Sequence, residues 1–148
     1  MGKVLQVQRA ELPQVSTTSV IPYDDTIPQN TEGAAVTSIT ITPKSATSTL
    51  YMRVATADSD SVSAGVTLAI FKDADADAIA VGMCNSNNTR PYMLELEHSE
   101  GSADTSERTY YLRLGSHTGS TVRNYVLALG SLGGVYNFGS FEIIEVEG

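Results

Sequence analysis

The stretch Ala35-Val36-Thr37-Ser38-Ile39-Thr40-Ile41-Thr42-Pro43 decides the fold class, because apolar and polar residues alternate in it and Pro43 closes it. Period two puts Thr37, Ile39 and Ile41 on one face and Ser38, Thr40 and Thr42 on the other, the pattern of a strand that buries one side. After the turn signal Pro43-Lys44-Ser45 the alternation resumes, with Leu50, Met52 and Val54 facing one way and Tyr51, Arg53 and Ala55 the other. These two segments are expected to form a hairpin.

Working outward, strands are predicted at Val4 to Val7, Val66 to Phe71, Ala78 to Cys84, Tyr92 to His98, Arg108 to Leu114, Tyr125 to Leu129 and Phe141 to Val146. Turn formers separate them: Asp58-Ser59-Asp60-Ser61, Asn85-Ser86-Asn87-Asn88, Ser99-Glu100-Gly101-Ser102 and Gly115 to Ser120. Both faces of Val66 to Phe71 read as buried, so this is the expected central strand. No window sustains apolar spacing of three and four with caps at both ends, which leaves no helix. Between residues 11 and 34, Pro13, Pro22 and Pro28 interrupt a polar run, which reads as an arm or long loop with room for a short strand near Ser19 to Ile21. The expectation is an all-β chain: an antiparallel β-sandwich, jelly-roll-like, in one domain over 1–148. Its N-terminal strand and irregular N-terminal arm occupy about 1–34, and its sandwich core 35–148.

A domain of 148 residues buries roughly 70% of its unfolded surface and folds without staples. The single cysteine, Cys84, rules out an internal disulfide. Nine Lys and Arg against 17 Asp and Glu give a net charge of -8, and the cations are scattered singly, so the surface repels a phosphate backbone and no nucleic-acid partner is expected. No run approaches the ~20 apolar residues that span a bilayer, and no signal peptide is legible at the N-terminus. Neither membrane insertion nor secretion through a signal peptide is expected, which implies synthesis in a cytoplasm.

Candidate chemistry dissolves on inspection. Asp73-Ala74-Asp75-Ala76-Asp77 has the opening spacing of a calcium loop, but the required sixth-position glycine and twelfth-position glutamate are Ala78 and Cys84. A solvated hairpin turn is the better reading. His98 and His117 sit in no catalytic motif, and Glu95 and Glu97 share the solvent face opposite Leu94 and Leu96 rather than forming, with Glu100, an acid and base pair. Cys84 closes an apolar strand with no nearby cation in sequence, so it reads as a small buried side chain. Asn87-Asn88-Thr89 matches a glycosylation pattern but lacks a secretory context. The expectation is no enzyme activity, no catalytic or metal-binding residues and no cofactor.

The stretch Leu127 to Gly139 mixes apolar residues with four glycines. A monomer gains little from presenting Leu132, Val135, Tyr136 and Phe138 to water, which makes them candidate subunit-interface residues. The alternative, a loop folded over its own core, stays open.

Several segments in order carry a family likeness: Gly2 to Val7, Tyr23-Asp24-Asp25-Thr26-Ile27-Pro28-Gln29-Asn30-Thr31-Glu32-Gly33, Ile39 to Ser48, Ala69 to Asp73, Tyr92 to Leu114 and Ser140 to Val146. Together they resemble the small β-sandwich domains of tailed-phage particles, used as tail-fibre heads and as capsid decoration or cement proteins. The resemblance implies a jelly-roll-like sandwich, a homotrimer and no enzyme activity. Because the chain starts almost directly on its first strand, a fibre shaft is not expected. That favours a decoration protein on the capsid surface of the virion, with the major capsid protein as partner. The alternative is a tail-fibre head or receptor-binding tip, whose loops, Asn85 to Thr89 and Gly115 to Ser120, would recognise a host surface glycan.

Overall fold

Alternating apolar rows need a second layer to bury them, and the chain supplies it by stacking two antiparallel sheets. The computed structural model describes residues 2–61, 65–85, 92–124 and 139–148. Its strands are β1 (Val4–Glu11), β2 (Ser16–Thr17), β3 (Ala34–Ile41), β4 (Thr49–Asp60), β5 (Gly65–Lys72), β6 (Ala80–Asn85), β7 (Tyr92–Gly101), β8 (Arg108–Ser116), β9 (Val122–Arg123) and β10 (Gly139–Val146). In sheet 1, β1 pairs with β10 and β10 with β4; β7 pairs with β4 along residues 49–58 on its other edge, and the short β9, bordered by β2, continues the line of β10 along residues 59–60 of β4. Sheet 2 runs β3-β8-β5-β6. The neighbours distant in sequence, β3 with β8 and β4 with β10, make the architecture jelly-roll-like.

The core is the set of inward rows. Leu50, Met52, Val54, Leu94, Leu96, Phe141 and Ile143 from sheet 1 meet Ile39, Ile41, Val66, Leu68, Ile70, Tyr110, Leu112 and Leu114 from sheet 2, and all are buried. The sequence-predicted central strand is β5, buried along Gly65 to Phe71 between β8 and β6.

Three expectations are corrected. The segments 35–42 and 50–55 form no hairpin: β3 pairs with β8, while β4 pairs with β10 and β7. Their connection crosses between the sheets because the buried Glu145 carboxylate of β10 holds it, accepting bonds from the amides of Lys44 (2.8 Å) and Ser45 (3.1 Å) and from Ser48 Oγ (2.6 Å). Within β3, Val36 rather than Thr37 is buried, because a register shift between Ala35 and Thr37 resets the alternation. Lastly, Asp58 to Ser61 and Ser99 to Ser102 are not simple turns. Backbone pairing carries β4 through to Asp60 and β7 to Gly101, overriding the local preference of Asp, Ser and Gly for turns. The strand expected over Tyr125 to Leu129 lies outside the described residues.

The arm lies against the outer face of sheet 2. Ile21 is fully buried against Ala69 and Phe71, and the expected short strand near Ser19 to Ile21 reduces to a single parallel bridge, Val20 with Ser116. Arg113 secures the end of the arm by donating to the carbonyls of Glu32 (2.6 Å) and Gly33 (2.9 Å). Gly115 permits the close approach, since a Cβ there would stand 2.6 Å from Ile21 Cγ1. The arm therefore covers β5 on the outer face of sheet 2, while Tyr111, Val81 and Met83 on that same face stay exposed; among the described residues no segment covers the outer face of sheet 1, its bare face.

Candidate functional site

The first candidate is that bare face. In register across it lie Val7, Ile144, Tyr51 and Ser99, and beside them Arg9, Glu142, Arg53 and Glu97. Val7 is 50% exposed and Tyr51 49%, so an apolar row faces water next to a row of alternating charge. Arg53 Nη2 reaches Glu95 at 2.7 Å and its Nε reaches Glu97 at 3.8 Å, but all three side chains are more than half exposed, so these pairs hold register more than they add stability. Glu95 and Glu97 thus occupy the solvent face that alternation predicts.

The second candidate is one end of the core, where the inward row of β4 changes character. It reads Leu50, Met52, Val54, then Thr56, Asp58 and Asp60, all buried. Asp58 Oδ1 accepts from Thr56 Oγ1 at 3.2 Å, and Asp58 Oδ2 has no hydrogen-bond partner. Burial pushes this carboxyl up to about 7, with the Thr56 bond working the other way. Asp60 Oδ2 accepts from Ser120 Oγ at 2.8 Å. Cys84 is half-buried, and burial, then the charge of Asp58, push its thiol up to about 11. Such a thiol is no nucleophile at neutral pH.

Near this end, His117 Nε2 and Thr67 Oγ1 are 2.8 Å apart, and the imidazole stacks on Tyr23 with ring centroids 5.1 Å apart. Gly65 leaves room for the ring, since a Cβ there would be 1.9 Å from it. Burial lowers the His117 pKa, partly offset by Asp60. Thr67 is almost fully buried, which suits a hydroxyl that anchors the imidazole.

The remaining candidates are structural. Glu100 binds Lys72 Nζ at 2.8 Å, accepts from Tyr110 Oη and lies 3.9 Å from Arg108, which separates it in role from Glu95 and Glu97. Burial disfavours its charge, yet these partners hold its carboxyl below the usual range. His98 stands opposite Met52 in the β4–β7 pairing. Asp73 Oδ1 accepts from the Thr109 amide at 2.7 Å and Asp77 Oδ1 from Gln29 Nε2 at 2.8 Å, so the Asp73 to Asp77 hairpin is tied to its neighbours. Among the described residues no cluster of His, Cys, Asp or Glu could hold a metal ion. Leu132, Val135, Tyr136 and Phe138 lie outside the described residues, as does Asn87-Asn88-Thr89. Sequence reasoning missed Asp58 and Asp60, although the alternation begun at Leu50 runs into them without a break.

Fold and site together define a class: a jelly-roll-like β-sandwich with an arm docked on part of one outer face and a polar end to its core. Within it, the chain belongs to the Pgp3 C-terminal domain family, whose model matches residues 19–148. The jelly-roll-like sandwich that the phage-virion resemblance implies is present, and the family whose model matches is the Pgp3 C-terminal domain. No curated protein matches the chain. Among solved structures, a sugar-binding protein, the EclA C-terminal domain, aligns at 14% identity and a TM-score of 0.45, over 77% of this chain and 74% of its own. Eiger TNF from S. frugiperda aligns at 11% identity and 0.44, over 96% and 93%. An infectious bursal disease virus Gt strain structure aligns at 13% and 0.44, over 96% of this chain and 37% of its own. At such distances none of these says what the chain does.

Proposed function

We propose that this domain works by association rather than catalysis, as a non-enzymatic structural protein of a virus particle that sits on the capsid surface as a homotrimer and contacts the major capsid protein. The observation that carries the association is the Val7, Ile144 and Tyr51 row on the bare face of sheet 1. Three large apolar side chains in direct register across three strands form a patch that a subunit contact would bury. The flanking row of Arg9, Glu142, Arg53 and Glu97 supplies charges of both signs, which fix register in such a contact. The virion placement is supported by the sequence resemblance to phage particle domains. The non-enzymatic reading is supported by the use of Glu100, Glu145, Asp73 and Asp77 in bonds that hold the fold.

One observation favours a second reading, a receptor-binding tip for a host glycan. Tyr23 is 74% exposed and stacks on His117 of the Gly115 to Ser120 loop, offering an aromatic face of the kind that packs on a sugar ring. Imaging of the particle separates the two. Decoration predicts density for this chain spread over the shell, and density confined to the tail would overturn it in favour of the tip.

A further inference from the structure

We propose that Asp58 is a proton-operated latch at the polar end of the sandwich: protonated, it lets β4 stay closed against both of its neighbours there, and ionised, it loosens that junction.

The location gives the carboxyl its leverage. Asp58 is the last β4 residue paired with β7, opposite Tyr92, and on the other edge of the strand the next two, Ser59 and Asp60, pair with Arg123 and Val122 of β9. The pairing with β7 thus ends, and that with β9 begins, at the residue whose side chain is fully buried. An ionised carboxylate wants several donors, and here Oδ1 accepts from Thr56 Oγ1 and Oδ2 has no hydrogen-bond partner. Among the described residues no titratable neighbour supplies the missing positive charge. From β6 the neighbour is Cys84, whose thiol feels the Asp58 charge; from β7 it is Tyr92; on β4 itself it is the buried Asp60. Arg123 of β9 pairs with Ser59, whose side chain points to the other face of the strand. The charged form gains water by loosening this end of β4 from its neighbours, and with Asp58 titrating at about 7 the change falls at neutral pH.

Hydrogen exchange tests this on the whole chain, comparing wild type with Asp58→Asn at pH 6 and pH 8 and correcting for the intrinsic pH dependence of exchange. In the wild type, protection of the amides from residue 56 to 60, from 92 to 94 and at 122 and 123 should fall about tenfold between the two pH values. In Asp58→Asn it should not change. Burial of neutral His117 works in the opposite sense, so the difference between the two proteins isolates Asp58. Asp58→Val, which fills the space without a charge, should behave like Asp58→Asn and covers a folding failure of the amide variant. Equal protection of wild-type amides at both pH values, or the same loss in the uncharged variants, overturns the latch.

Discussion

Glu145 governs the crossing from sheet 2 to sheet 1 through a single carboxylate. It is buried on β10 and receives bonds from Gln6 Nε2 at 2.6 Å, Ser48 Oγ at 2.6 Å and the amides of Lys44 and Ser45. Burial opposes its charge, but these donors outweigh that and hold its pKa below the ordinary value. A depressed carboxylate pKa means that the stabilisation is complete above the unfolded value and is lost as pH falls through the folded one. Glu145→Gln puts an amide donor among these donors and should cost about 2 kcal/mol at pH 7. Denaturant melts at pH 7 and pH 3 check it: the gap between the proteins should shrink at the lower pH, where the wild-type carboxyl is protonated. In sequence this residue is one alternating position in Ser140 to Val146, and nothing local marks its distant partners. Asp58 hid for a different reason, since Asp, Ser and Asp in succession satisfy the local rule for a turn while the pairing with β7 and β9 keeps them in a strand.

Among the elements, the arm is the one that sets the two sheets apart. Period two in Val66 to Phe71 was enough to place β5 at the centre, because a strand apolar on both sides needs cover on both sides. It could not say what supplies the cover, since the prolines of residues 11–34 suppress any periodic signal. The hairpin expected between 35–42 and 50–55 failed similarly, because alternation fixes which face is buried but not which strand lies alongside. Docking of the arm depends on the missing side chain of Gly115, next to Ile21. Gly115→Ala should push the Ile21 segment away, cost about 2 kcal/mol and expose the arm. Limited proteolysis should then cut between residues 18 and 30 faster than in wild type, while the paired strands stay resistant.

At the scale of the whole molecule, the apolar row on the outer face of sheet 1 bears on assembly. If the bare face of sheet 1 is the contact, a cyclic trimer brings three copies of the Tyr51 row towards one axis. Sedimentation of the wild-type chain should give a mass near three chains, and Tyr51→Glu, a solvent-facing change that spares the core, should give a folded monomer with unchanged β circular dichroism and a lower melting temperature that no longer depends on concentration. A trimer that persists in Tyr51→Glu would move the contact to another surface. Sequence could not find this patch, because Val7, Tyr51 and Ile144 come from three distant strands and each alone is an unremarkable exposed residue.

The pairing of β1 with β10 also leaves the first and last residues of the sandwich side by side, with Glu147 N donating to Lys3 O at 2.8 Å. A chain that enters and leaves at one point can be spliced as a cassette into a surface loop of another protein with little loop-closure entropy. For the same reason, a short linker joining residues 3 and 147, with new ends cut in the exposed hairpin at residues 74–76, should give a circular permutant that keeps both sheets.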